Sequence, residues 1–243
     1  MLISFFEEFT TAENLAKLKL ITWPTKLYVA AKSVEEFKKT KKSIKNKQQI
    51  QECIYWPILE KKEGYWISPF SKRKALLKIF DELKHQTIPV MLDLELPITR
   101  NPFLFLTQLL NFTRNKNTIK DFIVNYKGKV YLAEYYPEGK RKEQLLQKLG
   151  LHYPKAIVIK MLYHSLHQFS PESIKYEINQ GNKEHAQLIL AFGTIAAGIT
   201  KKEPLLSPQQ LKKDVILAKK LGVKEVIIFR LGGLNREYLK ILK

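Results

Sequence analysis

The stretch KLYVAAKSVEEFKK, residues 26–39, shows how the chain is built. It begins with a run of mainly apolar residues of the kind found in buried strands. Ser33 then stands three residues before Glu36, a pairing that caps the first turn of a helix, and residues rich in lysine and glutamate follow. The segment therefore predicts a strand that passes through a short turn into an amphipathic helix.

The same strand–turn–helix unit recurs along the chain. Ser170-Pro171 and Ser207-Pro208 each place a capping hydroxyl before a proline, which is typical of the first position of a helix. Short apolar runs separate such helices. They predict eight strands, at residues 2–9, 26–31, 53–59, 88–96, 130–136, 156–163, 188–194 and 225–231.

Eight alternating units of about 30 residues predict an α/β fold, a single (β/α)8 TIM-type barrel with eight parallel strands and outer helices. We see no domain boundary, so residues 1–243 are predicted to form one domain. The alternative is an open, doubly wound sheet, for which a glycine-rich phosphate loop is expected after the first strand. The sequence Glu7-Glu8-Phe9-Thr10 at that place has no glycine and favours the barrel.

Composition narrows the classes of partner. The chain has 42 basic and 23 acidic residues and a net charge of +19, but six of the basic residues are arginines. Lysines spread over every predicted helix indicate a solvated surface rather than a specific nucleic-acid reader, which usually relies on arginine.

The longest nearly uncharged apolar run, residues 188–199, is too short to span a bilayer. One cysteine, Cys53, cannot form an internal disulfide, and we expect a cytoplasmic protein.

The fourth strand carries the clearest functional signal, because active sites of such barrels lie at the carboxyl ends of the strands. Alternation places Met91, Asp93 and Glu95 on one face and Val90, Leu92 and Leu94 on the other. Since the uniformly apolar face belongs under the helices, the two carboxyl groups should point into the barrel. Neighbouring carboxyls in a partly buried site raise each other's pKa, as general acid catalysis requires. The alternative is a structural pair bound to a barrel cation, Arg230 or Lys160.

Strands 4 and 6 also resemble a known family. Asp93-Leu94-Glu95 is similar to the D-x-E that ends the catalytic signature of chitinase-type glycoside hydrolases, and Met161-Leu162-Tyr163 is similar to the M-x-Y of that family. The resemblance implies Glu95 as general acid, Asp93 as its electrostatic partner and Tyr163 as a donor to the acetamido group of the substrate. Strand 7 ends in Gly193-Thr194 without a carboxylate, which agrees with substrate-assisted chemistry.

The sequence departs from that family at several positions. Ile88 and Met91 stand where the signature has its upstream aspartates, and His164 stands where strand 6 has an aspartate. Cys53 to Leu59 contains no glycine motif, and Arg230 to Gly233 lacks the expected tryptophan.

Further candidates stand at or near strand ends. Glu134 could be a second acid or base, or a metal ligand with the strand-4 pair. The remaining residues could contact substrate: Trp56, Trp66, Tyr135, Tyr136, Lys160, His164 and Arg230.

Three other functions fit the same barrel. An inward Lys160 would suit a Schiff-base lyase or aldolase, with Gly232-Gly233 holding the phosphate of its substrate. Regular alternation would then turn Tyr163 outward. The second is a metal-dependent phosphodiester or sugar isomerase chemistry, and the third is a barrel that binds a carbohydrate or a partner without turnover.

For an enzyme we expect a small-molecule or oligosaccharide substrate, no cofactor and no metal. His164 and His167 lie three residues apart but have no third ligand within reach in the sequence. The sequence holds no signal for an oligomeric state.

Overall fold

A computed structural model describes residues 1–44, 48–98, 102–135, 140–153 and 156–242, without the side chains of residues 102, 135 and 140–142. Eight strands form one closed parallel barrel in chain order, in which the last strand pairs with the first. The predicted (β/α)8 barrel is therefore confirmed. The strands are β1 Leu2–Glu7, β2 Thr25–Ala31, β3 Ile50–Pro57, β4 Val90–Leu94, β5 Val130–Tyr135, β6 Ile157–Met161, β7 Gln187–Gly193 and β8 Glu225–Phe229.

Helices cover the outside of the barrel. Ser33, Ser170 and Ser207 each accept a hydrogen bond from a backbone N–H of the first helical turn, as their sequence context predicts. The described helices are α1 Ala12–Ala16, α2 Val34–Ser43, α3 Arg73–Leu83, α4 Pro102–Leu109, α5 Phe112–Asn125, α6 Lys140–Lys148, α7 Pro171–Glu184, α8 Pro208–Lys220 and α9 Arg236–Leu242. Within the described ranges, no helix is both long and apolar enough to cross a membrane.

Two apolar layers hold the barrel together. The outer layer lies between strands and helices and contains Val90, Leu92 and Leu94 of β4. The inner layer fills the barrel and contains Met91 of the same strand, so the alternation predicted for β4 is confirmed. In β6, Ile159 and Met161 belong to the inner layer.

Strand pairing in the barrel is least extensive between β3 and β4. Among the described residues, the register of these two strands aligns only Tyr55 with Val90. The loop after β3 closes part of this gap, because the Ile67 N–H donates to the Asp93 carbonyl oxygen at 2.9 Å. This bond brings the loop residues Tyr65 and Trp66 to the mouth of the barrel.

Candidate active site

A cavity of about 310 Å³ lies at the carboxyl ends of the strands. This volume is at the lower end of the range for small-molecule sites, about 300–1,000 Å³. Its wall is mainly apolar and aromatic, with a group of carboxyl side chains. The residues that line it and carry the argument below are Phe6, Glu8, Trp56, Trp66, Asp93, Glu95, Tyr163, Thr194, Gly198, Glu203 and Phe229.

The two carboxyl groups of the β4 segment meet in this cavity. Asp93 is 4% exposed and Glu95 is partly exposed. Burial, the charges of Glu95 and Glu8, and a hydrogen bond with Glu95 raise the pKa of Asp93 well above its usual value. Burial likewise raises the pKa of Glu95 to about 7, against the lowering effect of its hydrogen bond with Asp93. The pair therefore keeps at least one proton near neutral pH.

Neither predicted cation neutralises this pair. Arg230 lies 3.2 Å from Glu7, and Lys160 bonds to Glu143 and Glu177. The Asp93 Oδ1 atom is buried without a hydrogen-bond partner. The hypothesis of a structural pair bound to Arg230 or Lys160 is wrong.

Glu8 is a third carboxyl in the cavity, and the sequence analysis did not single it out. It follows β1 on the same side as Phe6 of the inner layer, so the alternation of β1 carried the signal. The Tyr65 hydroxyl donates to Glu8 Oε1 at 2.6 Å, and Glu8 Oε2 has no partner. Burial raises the pKa of Glu8 to about 7.

Aromatic rings form much of the remaining wall. Trp56 packs on Phe6 and Phe229, with ring centroids 5.5 and 6.5 Å apart. Tyr163 packs on Phe229 at 5.9 Å. Burial and the charges of the nearby carboxyls raise the pKa of Tyr163, which keeps its hydroxyl available as a donor.

The loop after β7 supplies the remaining side of the cavity. The Glu203 carboxylate accepts backbone N–H bonds from Gly198, Thr200 and Lys202 and so folds the loop on itself. Gly198 packs so closely on Glu8 that an added Cβ would lie 2.8 Å from Glu8 Oε2. The sequence analysis missed this loop, because its contacts join residues far apart in the chain.

Glu134 does not reach the cavity, so its predicted catalytic position is wrong. Its neighbour Ala133 faces the inner layer, which turns Glu134 towards the helices. There Glu134 Oε2 lies 2.7 Å from His152 Nδ1, and Oε1 accepts from the Tyr153 N–H at 3.3 Å.

Lys160 likewise faces the helices and does not contact the cavity. It is 1% exposed, and its Nζ donates to Glu143 and Glu177 at 3.1 and 3.2 Å. Burial lowers the pKa of Lys160, but these two carboxylates outweigh that effect and the pKa is raised. A protonated lysine outside the barrel is not a Schiff-base nucleophile, so this position contradicts the lyase hypothesis.

His164 and Arg230 also lie away from the cavity. His164 Nδ1 is 2.9 Å from Asp214 Oδ1, beside α8. Arg230 stacks on Phe9 at 4.6 Å and donates to the Ala197 carbonyl and to Glu7. Their predicted substrate contacts are therefore not supported.

The glycines after β8 do not offer a free phosphate cradle. The Gly232 N–H already donates to Glu7 Oε2 at 2.7 Å. Gly233 is needed for packing, because an added Cβ would overlap the Ile195 carbonyl. Tyr136 lies outside the described residues, as does the side chain of Tyr135.

Comparison with known proteins gives a likeness in structure. No protein-family model matches the chain, and no curated protein matches it in sequence. A class V chitinase from Pseudomonas fluorescens Pf-5 superposes with a TM-score of 0.56 at 10% identity, over 99% of this chain and 98% of its own. A chitinase from Chromobacterium violaceum reaches 0.55 at 9% identity, over 99% and 97%. A D-tagatose 3-epimerase-like protein reaches 0.55 at 12%, over 100% and 94%. At such identities the shared property is the barrel fold.

Proposed function

We propose that this protein is a carbohydrate-acting enzyme, a glycoside hydrolase in which Glu95 is the general acid. The observation that carries the proposal is the proton-sharing pair of Asp93 and Glu95 in a cavity with aromatic walls. Aromatic rings suit the apolar faces of sugars, and a raised carboxyl pKa suits protonation of a leaving group near neutral pH. The chitinase-like barrels found among solved structures agree with this assignment.

The proposed reaction begins with proton transfer. Glu95, the more exposed member of the pair, donates its proton to the glycosidic oxygen as the bond to the anomeric carbon breaks. The acetamido oxygen of an N-acetylated sugar attacks that carbon, held by a hydrogen bond from the Tyr163 hydroxyl. Water then attacks the same carbon and returns a proton to Glu95, while the acetamido group is released unchanged.

Replacing the acid tests the proposal. We expect Glu95→Gln to lower the hydrolysis rate of a chito-oligosaccharide by at least about 100-fold, because the glutamine cannot protonate the leaving oxygen. An aryl glycoside, whose leaving group needs little protonation, should lose less. Glu172→Gln, on the exposed surface of α7, is the matched control and should keep full activity.

The pH profile gives an independent measurement. Because Glu95 must be protonated to act, kcat/KM of the unmodified protein should fall as pH rises through about 7. Equal rates for Glu95→Gln and the control, or turnover that is flat above pH 7, would contradict the proposal. Binding of the oligosaccharide without turnover by the unmodified protein would instead identify a binding barrel.

Tyr163→Phe tests the role of the acetamido group. A hydrogen bond to a charged group contributes about 1.5–3 kcal/mol, so its loss should lower kcat/KM about 10- to 100-fold for N-acetylated substrates. A matched oligosaccharide without the acetamido group lacks the nucleophile and is not hydrolysed by this mechanism, so it serves as a binding control whose Kd should not change with the substitution. A loss of affinity for this control as large as the loss in kcat/KM on the N-acetylated substrate would argue that Tyr163 only shapes the cavity wall.

A further inference from the structure

A second cluster of titratable side chains lies at the opposite end of the barrel from the cavity. His152 stands in the segment before β6, and Glu184 and His185 stand at the junction of α7 and β7. The Ala186 N–H donates to the Ala156 carbonyl at 3.0 Å and holds the two segments together. One ligand atom from each of His152, Glu184 and His185 lies within 4.8 Å of the others.

The orientation of His152 leaves one ring nitrogen for a ligand. Its Nδ1 is 2.7 Å from Glu134 Oε2, and this carboxylate accepts only if Nδ1 carries the proton. The lone pair is then on Nε2, which is the arrangement of a metal-binding histidine held by a carboxylate.

His185 supplies a second, independent observation. Its side chain is 7% exposed, and neither ring nitrogen has a hydrogen-bond partner. A buried imidazole with both nitrogens unpaired is costly and calls for a ligand.

The charged side chains around the cluster have enough negative charge to balance a bound cation. Two carboxyl groups belong to this cluster, Glu134 at 2.7 Å from His152 and Glu184 itself, and the buried amine of Lys160 lies nearby. Lys160 is matched by its ion pairs with Glu143 and Glu177. Glu134 and Glu184 remain to balance a divalent ion.

We propose that His152, His185 and Glu184 form a binding site for a divalent transition metal of the zinc class. Two imidazole nitrogens and one carboxylate oxygen are a recognised ligand set for Zn²⁺, with water completing the tetrahedron, whereas Mg²⁺ prefers oxygen ligands alone. A tetrahedral ion with bonds of about 2.0–2.1 Å draws its ligands to about 3.4 Å from each other. Glu184 is exposed and can rotate to close this distance.

The position of the site assigns it a structural role. The amino ends of barrel strands serve stability, whereas chemistry occurs at the carboxyl ends. A metal here joins the segment before β6 to the end of α7, and it acts independently of the sugar chemistry proposed for the cavity.

The experiment uses tag-free, chelator-stripped full-length protein titrated with Zn²⁺ against a chromophoric chelator. We expect one tight equivalent, with a rise in melting temperature, and no such rise with Mg²⁺. Glu184→Gln should weaken Zn²⁺ binding at least about 10-fold, and Glu134→Gln about 10- to 100-fold through loss of its hold on His152. His85→Asn, which removes an exposed histidine of the same chain, should bind as the unmodified protein does.

The Co²⁺-loaded protein reports the coordination directly. We expect the visible absorption of a tetrahedral site, and its loss in His185→Gln. Absence of a tight equivalent, or unchanged affinity in both Glu184→Gln and His185→Gln, would overturn the proposal. If His185→Gln does not fold, Glu184→Gln decides, because that side chain is exposed at the end of α7.

Discussion

Two adjacent glutamates at the end of β1 show how much a single residue's partners matter. Glu7 accepts hydrogen bonds from Arg230, from the side chain of Asn14 and from the backbone N–H groups of Phe9 and Gly232. Glu8 accepts one, from Tyr65. The protonated form of Glu8 is favoured because little replaces the water that burial removes.

The pKa of Glu8 predicts a pH-dependent effect on stability. The folded value of about 7 lies above the usual 4.5, so the folded protein binds more protons between these values. Its contribution to stability is therefore fully present below about pH 4.5 and is lost as pH rises to about 7. We expect Glu8→Gln to increase the free energy of unfolding at pH 8 by about 1–3 kcal/mol, relative to its effect at pH 4.5.

Urea unfolding at the two pH values measures this difference. Glu13→Gln, in the exposed first turn of α1, is the control and should show no such pH dependence. A Glu8→Gln variant equally destabilised at both pH values would show that the carboxyl is ionised and well solvated in the folded protein.

Sequence reasoning at this scale found Asp93 and Glu95 because the opposite face of β4 is uniformly apolar. It did not single out Glu8. The hydrogen-bond partner of Glu8, Tyr65, is 57 residues away in the chain, and Tyr65 lies in a loop with a positive φ. The same reasoning also misplaced Glu134, whose partner His152 lies after an intervening helix. A pairing of this kind has no local pattern in the chain.

At the scale of the element, β6 is a strand whose orientation the alternation of polar and apolar residues could not predict. Both of its faces are apolar except at Lys160, so the sequence could not say whether Lys160 or Tyr163 faced the barrel. The structure turns Lys160 outward because Glu143 of α6 and Glu177 of α7 bind it there. Helices on both sides of the strand thus decide its orientation.

The Lys160 ion pairs predict a stability effect without an activity effect. Lys160→Met leaves the buried Glu177 carboxylate without its cation, and breaking a buried pair costs about 3–5 kcal/mol. We expect this loss in the free energy of unfolding at pH 7, and a smaller loss at low pH, where Glu177 becomes protonated. Activity per folded molecule should not change, since Lys160 does not line the cavity.

Denaturant unfolding and single-substrate kinetics on the same samples check both parts. Lys175→Met, on the exposed side of α7, is the control for removal of a lysine charge. A Lys160→Met protein that is stable but has lost its activity would contradict this assignment. It would indicate that Lys160 takes part in the reaction.

At the scale of the whole molecule, counting strand–helix units was enough to predict a closed barrel, and the cavity lies at the end where such barrels place their active sites. The cavity also depends on the loops after β3 and β7, which contribute Trp66 and Glu203. Their placement follows from backbone contacts such as Ile67 to Asp93, which bring together segments remote in sequence. Sequence reasoning named Trp66 as a candidate substrate contact, but strand periodicity gave no signal for Glu203.

The net charge of +19 should affect nucleic acids and sugars differently. Lysines spread over the helices attract phosphates through their summed field, so we expect weak RNA binding that falls steeply between about 50 and 500 mM salt and ignores base sequence. A neutral chito-oligosaccharide bound among the rings and protonated carboxyls of the cavity has no charge to screen, so its Kd should change by less than about 3-fold over that range. Fluorescence anisotropy with two unrelated RNAs and calorimetry with the sugar measure the two arms. Sequence-selective RNA binding that survives high salt would make the basic surface the functional one, and the cavity secondary to it.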